Sequence, residues 1–262
     1  IYLGPVRRLA KRDYVWGGSM PAAIADDGSK AVDALIASGI AAERARQGTR
    51  SSRPETRLLE DSGHWLNAMG LADGLSLTSL RGSARYELLV ERDGEKINLK
   101  DVGVGVSQVL PVIVAALYAS QGQIVIVEEP ESHLHPLAEA VLANLFAEVS
   151  RMHGVQFIVE THSEHLFRRM QTLIARQELS PAECAMYFVE RDGPGAKLRE
   201  LKPDPAGRIK NWPEHFFGDV LGETREQARL AFELRELSAG VRRSEKVSLR
   251  YPILPIADGI GG

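Results

Sequence analysis

Cysteine is almost absent from this sequence: Cys184 is the only one in 262 residues. That excludes a disulfide framework and a cysteine-based zinc site, and it fits a reducing cytoplasm. Aromatic residues are scarce, at 6%, so the core has to be built from Ala, Val, Leu and Ile. No apolar run approaches the roughly 18–20 residues of a membrane span. The longest runs, 109–119 and 124–127, are too short, and no membrane partner is expected. Neither sign of charge dominates. The 32 Lys and Arg against 35 Asp and Glu leave a net charge of −3, which argues against a globally basic nucleic-acid binder. Internal repeats, low-complexity segments and a signal-peptide pattern are also missing.

What remains is ordinary globular composition, 44% hydrophobic and 26% charged, at a length that suits one large domain or two small ones. Residues 1–28 are rich in Gly, Pro and charge and read as irregular. Helical spacing covers 29–46 and 55–69. Strands are predicted over 75–80 and 86–90, with a hairpin through Arg92-Asp93-Gly94-Glu95 into 96–99. From residue 101 the pattern alternates: a Gly-rich loop over 101–108, a helix to about 120, a strand at 123–127, a helix at 136–152, a strand at 155–159 and a helix at 163–177. Such alternation predicts a parallel sheet with its site at the carboxyl ends of the strands. The β-branched runs suggest strands buried on both faces. Thr161-His162-Ser163-Glu164 has capping-box spacing before the last of these helices. Strands at 185–190 and 197–201 flank the turn Asp192-Gly193-Pro194-Gly195. A Pro-rich loop at 202–207, a charged helix at 223–237 and a loose tail from 247 complete the chain. Three regions are expected: 1–100, a helical arm and hairpin; 101–202, an α/β lobe; and 203–262, an appendage without an assigned role.

The chemistry gathers where the strands end. In Ile124-Val125-Ile126-Val127-Glu128-Glu129-Pro130-Glu131 four β-branched residues run straight into two carboxylates. The first can hold Mg²⁺ through water, because Mg²⁺ prefers hard oxygen ligands. The second can polarise a water for attack on a phosphoryl group. This is a Walker B arrangement, although two acids after a strand are by themselves more often a solvated loop. The next strand ends Phe157-Ile158-Val159-Glu160-Thr161-His162-Ser163, and an imidazole there can hydrogen-bond a γ-phosphate or the attacking water. Gly103 and Gly105 allow close backbone approach, and Ser107 opens a helix whose N-terminus suits phosphate.

In this order and spacing the three parts resemble the C-terminal half of an ABC-type ATPase head, as in the structural-maintenance-of-chromosomes, RecF-like and OLD-family ATPases. The stretch 101–166 is most similar to bacterial predicted AAA ATPases carrying Glu-Glu-Pro-Glu-x-His-Leu-His-Pro followed by Glu-Thr-His-Ser. The opening Tyr2-Leu3-Gly4-Pro5-x-Arg7 and the 212–217 segment resemble that group too. The resemblance implies an α/β fold: the C-terminal lobe of a P-loop ATPase, a parallel sheet flanked by helices with a helical insertion and a small appendage. It implies ATP and Mg²⁺ as cofactors, Glu128 as the Mg²⁺-associated acid, Glu129 as the catalytic glutamate and His162 as the switch histidine. Gly103, Gly105, Ser107 and Gln108 correspond to the signature loop that completes a partner's nucleotide site, and His135 stands at the position of the D-loop aspartate. Gly-Val-Gly-Val-Ser-Gln replaces Leu-Ser-Gly-Gly, with Ser107 taken for the signature serine. A dimer of heads, a nuclease-type effector, contact with nucleic acid, and a DNA-maintenance or anti-phage role are implied on the same footing.

No G-x-x-x-x-G-K-[ST] loop occurs in the sequence, and the backbone nest and lysine that hold β- and γ-phosphates are not among these residues. With the opening Ile1 in place of an initiator Met, this leads to the expectation that a phosphate-binding lobe lies outside this chain. Two other readings compete. His133, His135, His162 and His165 with Glu129 could form a metal-dependent hydrolase site. The fold could also serve as a non-catalytic interaction module. The basic residues Arg7, Arg8, Lys11 and Arg12, Arg168 and Arg169, and Arg242, Arg243 and Lys246 read as solvated surface. Trp212, Phe216 and Phe217 read as core packing, and Cys184 as an inert thiol in a strand pattern.

Overall fold

The computed structural model describes residues 1–48, 53–80, 83–213, 226–227 and 229–231. It divides into two compact units, Ile1–Trp212 and Pro213–Gly262. Of the predicted helix at 223–237, residues 226–227 and 229–231 are helical. The rest of it, Phe216, Phe217, the basic group at 242–246 and the tail from 247 lie outside the described residues.

The first unit carries a parallel sheet of β1 (Tyr2–Leu3), β6 (Ile124–Glu128) and β7 (Gln156–Glu160), in the order β1-β6-β7. Tyr2 is level with Ile126, and the β6–β7 register runs from Ile124↔Gln156 to Glu128↔Glu160. β1 lies in the stretch expected to be irregular. Two residues are too few to show a period, and β1 is fixed by a partner more than 120 positions away. The connections are helical: α3 (Val104–Tyr118), α4 (Pro136–His153) and α5 (Glu164–Ala175). The parallel-sheet α/β architecture is the one expected from the alternation.

A second sheet is antiparallel, with β4 (Arg85–Arg92) paired to β2 (Tyr14–Val15), β3 (Gly74–Ser79) and β5 (Glu95–Asn98). Its β4–β5 hairpin turns at Asp93 and Gly94, both at positive φ (53° and 81°), as a tight two-residue hairpin turn requires. Helices α1 (Ala31–Arg46) and α2 (Arg53–Ala68) pack on each other and on α3. A two-stranded hairpin, β8 (Met186–Asp192) and β9 (Gly195–Leu201), follows α5. Cys184 precedes β8, closing a short 3₁₀ turn at Pro181–Glu183 rather than lying within a strand.

The parallel strands do not have two covered faces. Val125 and Val127 are fully buried beside α3 and α4, and Leu3 joins the same core. The alternate residues Ile124, Ile126 and Ile158 are 37–50% exposed, as is Tyr2 at 45%. An unbroken β-branched run reads as two-sided burial, but here period-2 alternation still puts one half of the run on an open face.

The helix caps bring the strand-end loops together. α4 starts at Pro136, whose fixed φ suits the first helical position. His135 Nδ1 accepts a bond from Leu137 N at 3.4 Å. α4 ends on Gly154 at φ 62°, whose N–H returns to Ser150 O, the left-handed stop that glycine tolerates. The N-cap of α5 is Ser163, not the Thr161 that the capping-box spacing suggests. Ser163 Oγ accepts from Leu166 N at 2.9 Å, while Thr161 Oγ1 accepts from Ser163 N at 3.0 Å. The S/T-x-x-E match starts two residues early because Thr161 closes a local turn of its own.

Candidate functional site

A parallel sheet delivers its strand ends to one edge. Here β6 ends on Glu128 and β7 on Glu160, directly paired across the sheet. Both follow the open-face set of their strands. Tyr2, also on that face, donates its hydroxyl to Glu128 Oε1 at 3.1 Å. This bond, with the neighbouring negative charge, raises the pKa of the phenol. His162, two residues beyond β7, is 81% exposed and sits 3.4 Å from Glu160 Oε1 through its Nε2. An exposed imidazole on a short tether can reach a ligand brought to this edge.

Glu129 departs from the strand. Its φ is 44°, in the left-handed region, which costs a residue with a Cβ about 1–2 kcal/mol. The backbone is held on both sides. Glu129 N donates to Glu160 O at 3.0 Å, and its carbonyl accepts from Arg7 Nη2 at 2.5 Å. The turn carries the Glu129 side chain away from the direction of Glu128, and Oε2 accepts from Ser132 Oγ at 3.0 Å. The two carboxylates therefore have different partners, Tyr2 for Glu128 and Ser132 for Glu129. Of these groups Glu128, on the open face of the sheet, is the one that could supply hard oxygen donors to a Mg²⁺ ion.

Glu131 ties this loop to the next strand end. Its Oε1 accepts from the backbone N–H of His162 at 2.7 Å. Its Oε2 is buried without a hydrogen-bond partner. Glu139 in the first turn of α4 accepts from Ser163 Oγ at 2.5 Å. These two bonds tie the loop after β6 and the start of α4 to the loop after β7.

The Gly-rich loop reaches the same region. Gly103, in extended conformation, is the residue before α3 and has no side-chain cap. At Gly105 a Cβ would lie 2.8 Å from the carbonyl oxygen of His133. Only glycine lets the first turn of α3 press against the loop between β6 and α4. Ser107 Oγ donates to Val104 O at 3.0 Å. Ser107 also lines a cavity of about 410 Å³ with Arg8, Lys11, Lys30 and Arg85. Gln108 is 5% exposed, so its side chain packs inside the fold and is not presented outward with Gly103 and Ser107.

The four histidines proposed for a hydrolase do not converge. His133, His135, His162 and His165 are all exposed, and His135 is occupied as a helix cap. Among the described residues no group of three or more His, Cys, Asp or Glu could hold a metal ion by itself. No described helix is long and apolar enough to cross a membrane.

Arg7 was grouped with solvated basic residues, and the structure corrects this. It is 4% exposed. Nη2 donates to Glu128 O at 2.9 Å as well as to Glu129 O, and Nη1 donates to Gln108 O at 3.3 Å. Burial lowers its pKa, opposed by the charges of Glu131 and Glu129. A lone arginine in an aperiodic stretch gives no sequence signal of this. The only hint is its place in Tyr2-Leu3-Gly4-Pro5-x-Arg7. Trp212 packs on Phe167 with ring centres 5.5 Å apart and the rings tilted by 51°, and the Arg168 guanidinium lies 5.6 Å from its ring, a packing role on α5.

Comparison with known proteins places this geometry. Three solved structures are similar to part of this chain. One is described as "Structural biochemistry of ATP-driven dimerization and DNA stimulated activation of SMC ATPases", with 14% identity, a TM-score of 0.40, 55% of this chain and 83% of that one. A second is the Smc head domain with coiled coil and joint from Pyrococcus yayanosii, with 12% identity, a TM-score of 0.41, 55% of this chain and 26% of that one. A third is the SmcHead bound to the C-winged helix domain of ScpA, with 15% identity, a TM-score of 0.43, 66% of this chain and 50% of that one. The chain thus spans a quarter to a half of the length of the last two. No curated protein matches the sequence. A family profile of unknown function, DUF3696, matches residues 179–227. Residues 16–168, which include the signature-like loop, both acids and His162, match the profile "AAA domain, putative AbiEii toxin, Type IV TA system". With more than half of its length inside that match, the chain belongs to this AAA-domain family.

Proposed function

We propose that this chain hydrolyses ATP as part of an ABC-type head, with the phosphate-cradling loop supplied from outside these 262 residues. The observation that carries the reading is the pairing of Glu128 with Glu160 at neighbouring parallel strand ends. With that pairing, Glu129 and the exposed His162 follow in the loops that leave the same edge. Glu128 joins the Mg²⁺ shell, Glu129 activates the attacking water and His162 contacts the γ-phosphate. Gly103, Gly105 and Ser107 at the start of α3 complete the nucleotide site of a second head in a homodimer. The buried Gln108 acts through its carbonyl contact to Arg7, and His135 occupies the D-loop position as a helix cap. A nuclease-type effector, nucleic acid, and a role in bacterial DNA maintenance or anti-phage defence in the cytoplasm accompany this reading through the family resemblance. The separate region 203–262, overlapping the DUF3696 match, is the candidate contact for an effector.

The test is Glu129→Gln in the intact protein. Loss of a positioned general base lowers turnover by about 10²–10⁴-fold. ATP turnover is expected to fall by at least that lower bound, while the variant keeps bound ATP and the dimer persists longer. Turnover within a few-fold of wild type would refute the assignment.

A further inference from the structure

We propose that Arg7 is the positioning residue that holds Glu129 in its left-handed backbone conformation and links it to α3. This deepens the ATPase reading and rests on it for the kinetic part of its test.

Two features oppose the conformation at Glu129. Its Cβ disfavours φ 44°, and Pro130 follows, which drives a preceding residue towards extended geometry. Such a backbone persists only where its surroundings over-determine it. On the carbonyl side the determinant is Arg7. One guanidinium nitrogen, Nη2, bonds the carbonyls of both Glu128 and Glu129, at 2.9 and 2.5 Å. Those two bonds hold the successive peptide planes on either side of the Glu129 Cα, and hence its backbone dihedrals and the direction in which its side chain leaves the main chain. The planar fork of arginine suits the three carbonyls together, with Nη2 serving 128 and 129 and Nη1 serving 108, a spread that a lysine's single nitrogen does not reproduce.

The third bond gives the arrangement a consequence. Nη1 donates to the carbonyl of Gln108 at 3.3 Å, in the second turn of the helix that begins with the Gly-rich loop. The same rigid group therefore touches the helix that would meet a partner's nucleotide and the peptide that aims the water-activating acid. At 4% exposure the guanidinium has no room to swing independently, so a shift of α3 along its axis is carried to Glu129. Arg7 spends its bonds on backbone carbonyls and acts through them.

Arg7→Lys and Arg7→Met in the intact protein test this, each also combined with Glu129→Gln. With both variants folded, kcat is expected to fall at least 10-fold with KM for ATP within about 3-fold of wild type, since small misplacements of a catalytic group can cost about 10²-fold. Arg7→Lys is expected to be the milder of the two. ATP retention in the Glu129→Gln background is expected to be unchanged. Crystal structures of the Arg7 variants are expected to show Glu129 outside the left-handed region, a readout that does not depend on turnover. If Glu129→Gln alone leaves turnover intact, the ATPase reading fails, and the backbone at Glu129 still decides the positioning claim. Arg7 variants that keep kcat within 2-fold, that lose activity only through KM, or that leave Glu129 at positive φ overturn the proposal. So does absence of a cooperative unfolding transition in both, which would make Arg7 a requirement of the fold instead.

Discussion

The left-handed backbone at Glu129 predicts a difference between two inactive variants. Glu129→Ala and Glu129→Gly both remove the carboxylate, both lose the bond from Ser132 Oγ, and both are expected to lack turnover. They differ only in the Cβ, which at φ 44° costs alanine about 1–2 kcal/mol. Glycine gives back about 0.4–1 kcal/mol through the greater freedom of its unfolded chain. The balance favours Glu129→Gly by about 0.5–1 kcal/mol. In a domain of about 200 residues 1 kcal/mol moves the midpoint by about 2–4 °C. Thermal unfolding of the two proteins side by side should therefore place the glycine variant about 1–4 °C higher. An alanine variant melting level with or above the glycine one would refute the claim that this acid sits in a strained conformation, and would remove the reason for a buried clamp on its carbonyl.

Two further outcomes follow from packing and burial. Gly105→Ala puts a methyl 2.8 Å from the carbonyl oxygen of His133. Overpacking of about 1–3 kcal/mol outweighs the roughly 1 kcal/mol that alanine gains in a helix, so urea denaturation should show a net loss of about 1 kcal/mol, and a gain would mean that the 133 loop yields freely. Burial pushes the Cys184 thiol up to about 11 from 9.0, so its thiolate at pH 8 is about 100-fold rarer than that of an ordinary cysteine. Alkylation of the native protein at pH 8 should be slower than that of urea-unfolded protein by at least that factor. Because the folded value is the raised one, the stability gained by keeping this thiol neutral is full below about pH 9 and is lost as pH climbs through about 11. Equal alkylation rates in the two states would contradict the burial.

The elements that repeat a period were readable from the sequence, and those fixed by distant partners were not. Helices α3, α4 and α5 and strands β6 and β7 lie within a few residues of their predicted spans because each carries its own apolar spacing. That was enough to put Glu128, Glu129 and His162 on one sheet edge before any coordinates. β1 and β2 were hidden in a Gly- and Pro-rich stretch, since two-residue strands owe their existence to β6 and β4. Arg7 and Glu131 were passed over for the same reason. Each stands in a short motif, but the motif says nothing of its contacts, because its partners lie on other elements. Gln108 looked like an outward signature residue because loop position says nothing about which side of α3 it takes. The open face of the sheet was missed because Ile and Val crowd both sides of β6 alike.

The partners of the first seven residues also set an order of assembly. β1 pairs with residues 126–127, and Arg7 bonds the carbonyls of residues 128 and 129. Close in sequence, the backbone N–H groups of Gly4 and Arg8 find the carbonyls of Asp26 and Asp27; the strand partner of β1 and the carbonyls of 128 and 129 that Arg7 bonds lie more than 120 positions on. Closing so long a loop costs entropy before any contact repays it, and residues 31–118 can meanwhile collapse around α1, α2 and α3. On that entropic ground β1 pairs late, against a β6 already backed by α3, and the bonds from Arg7 that shape the acid pair form with it.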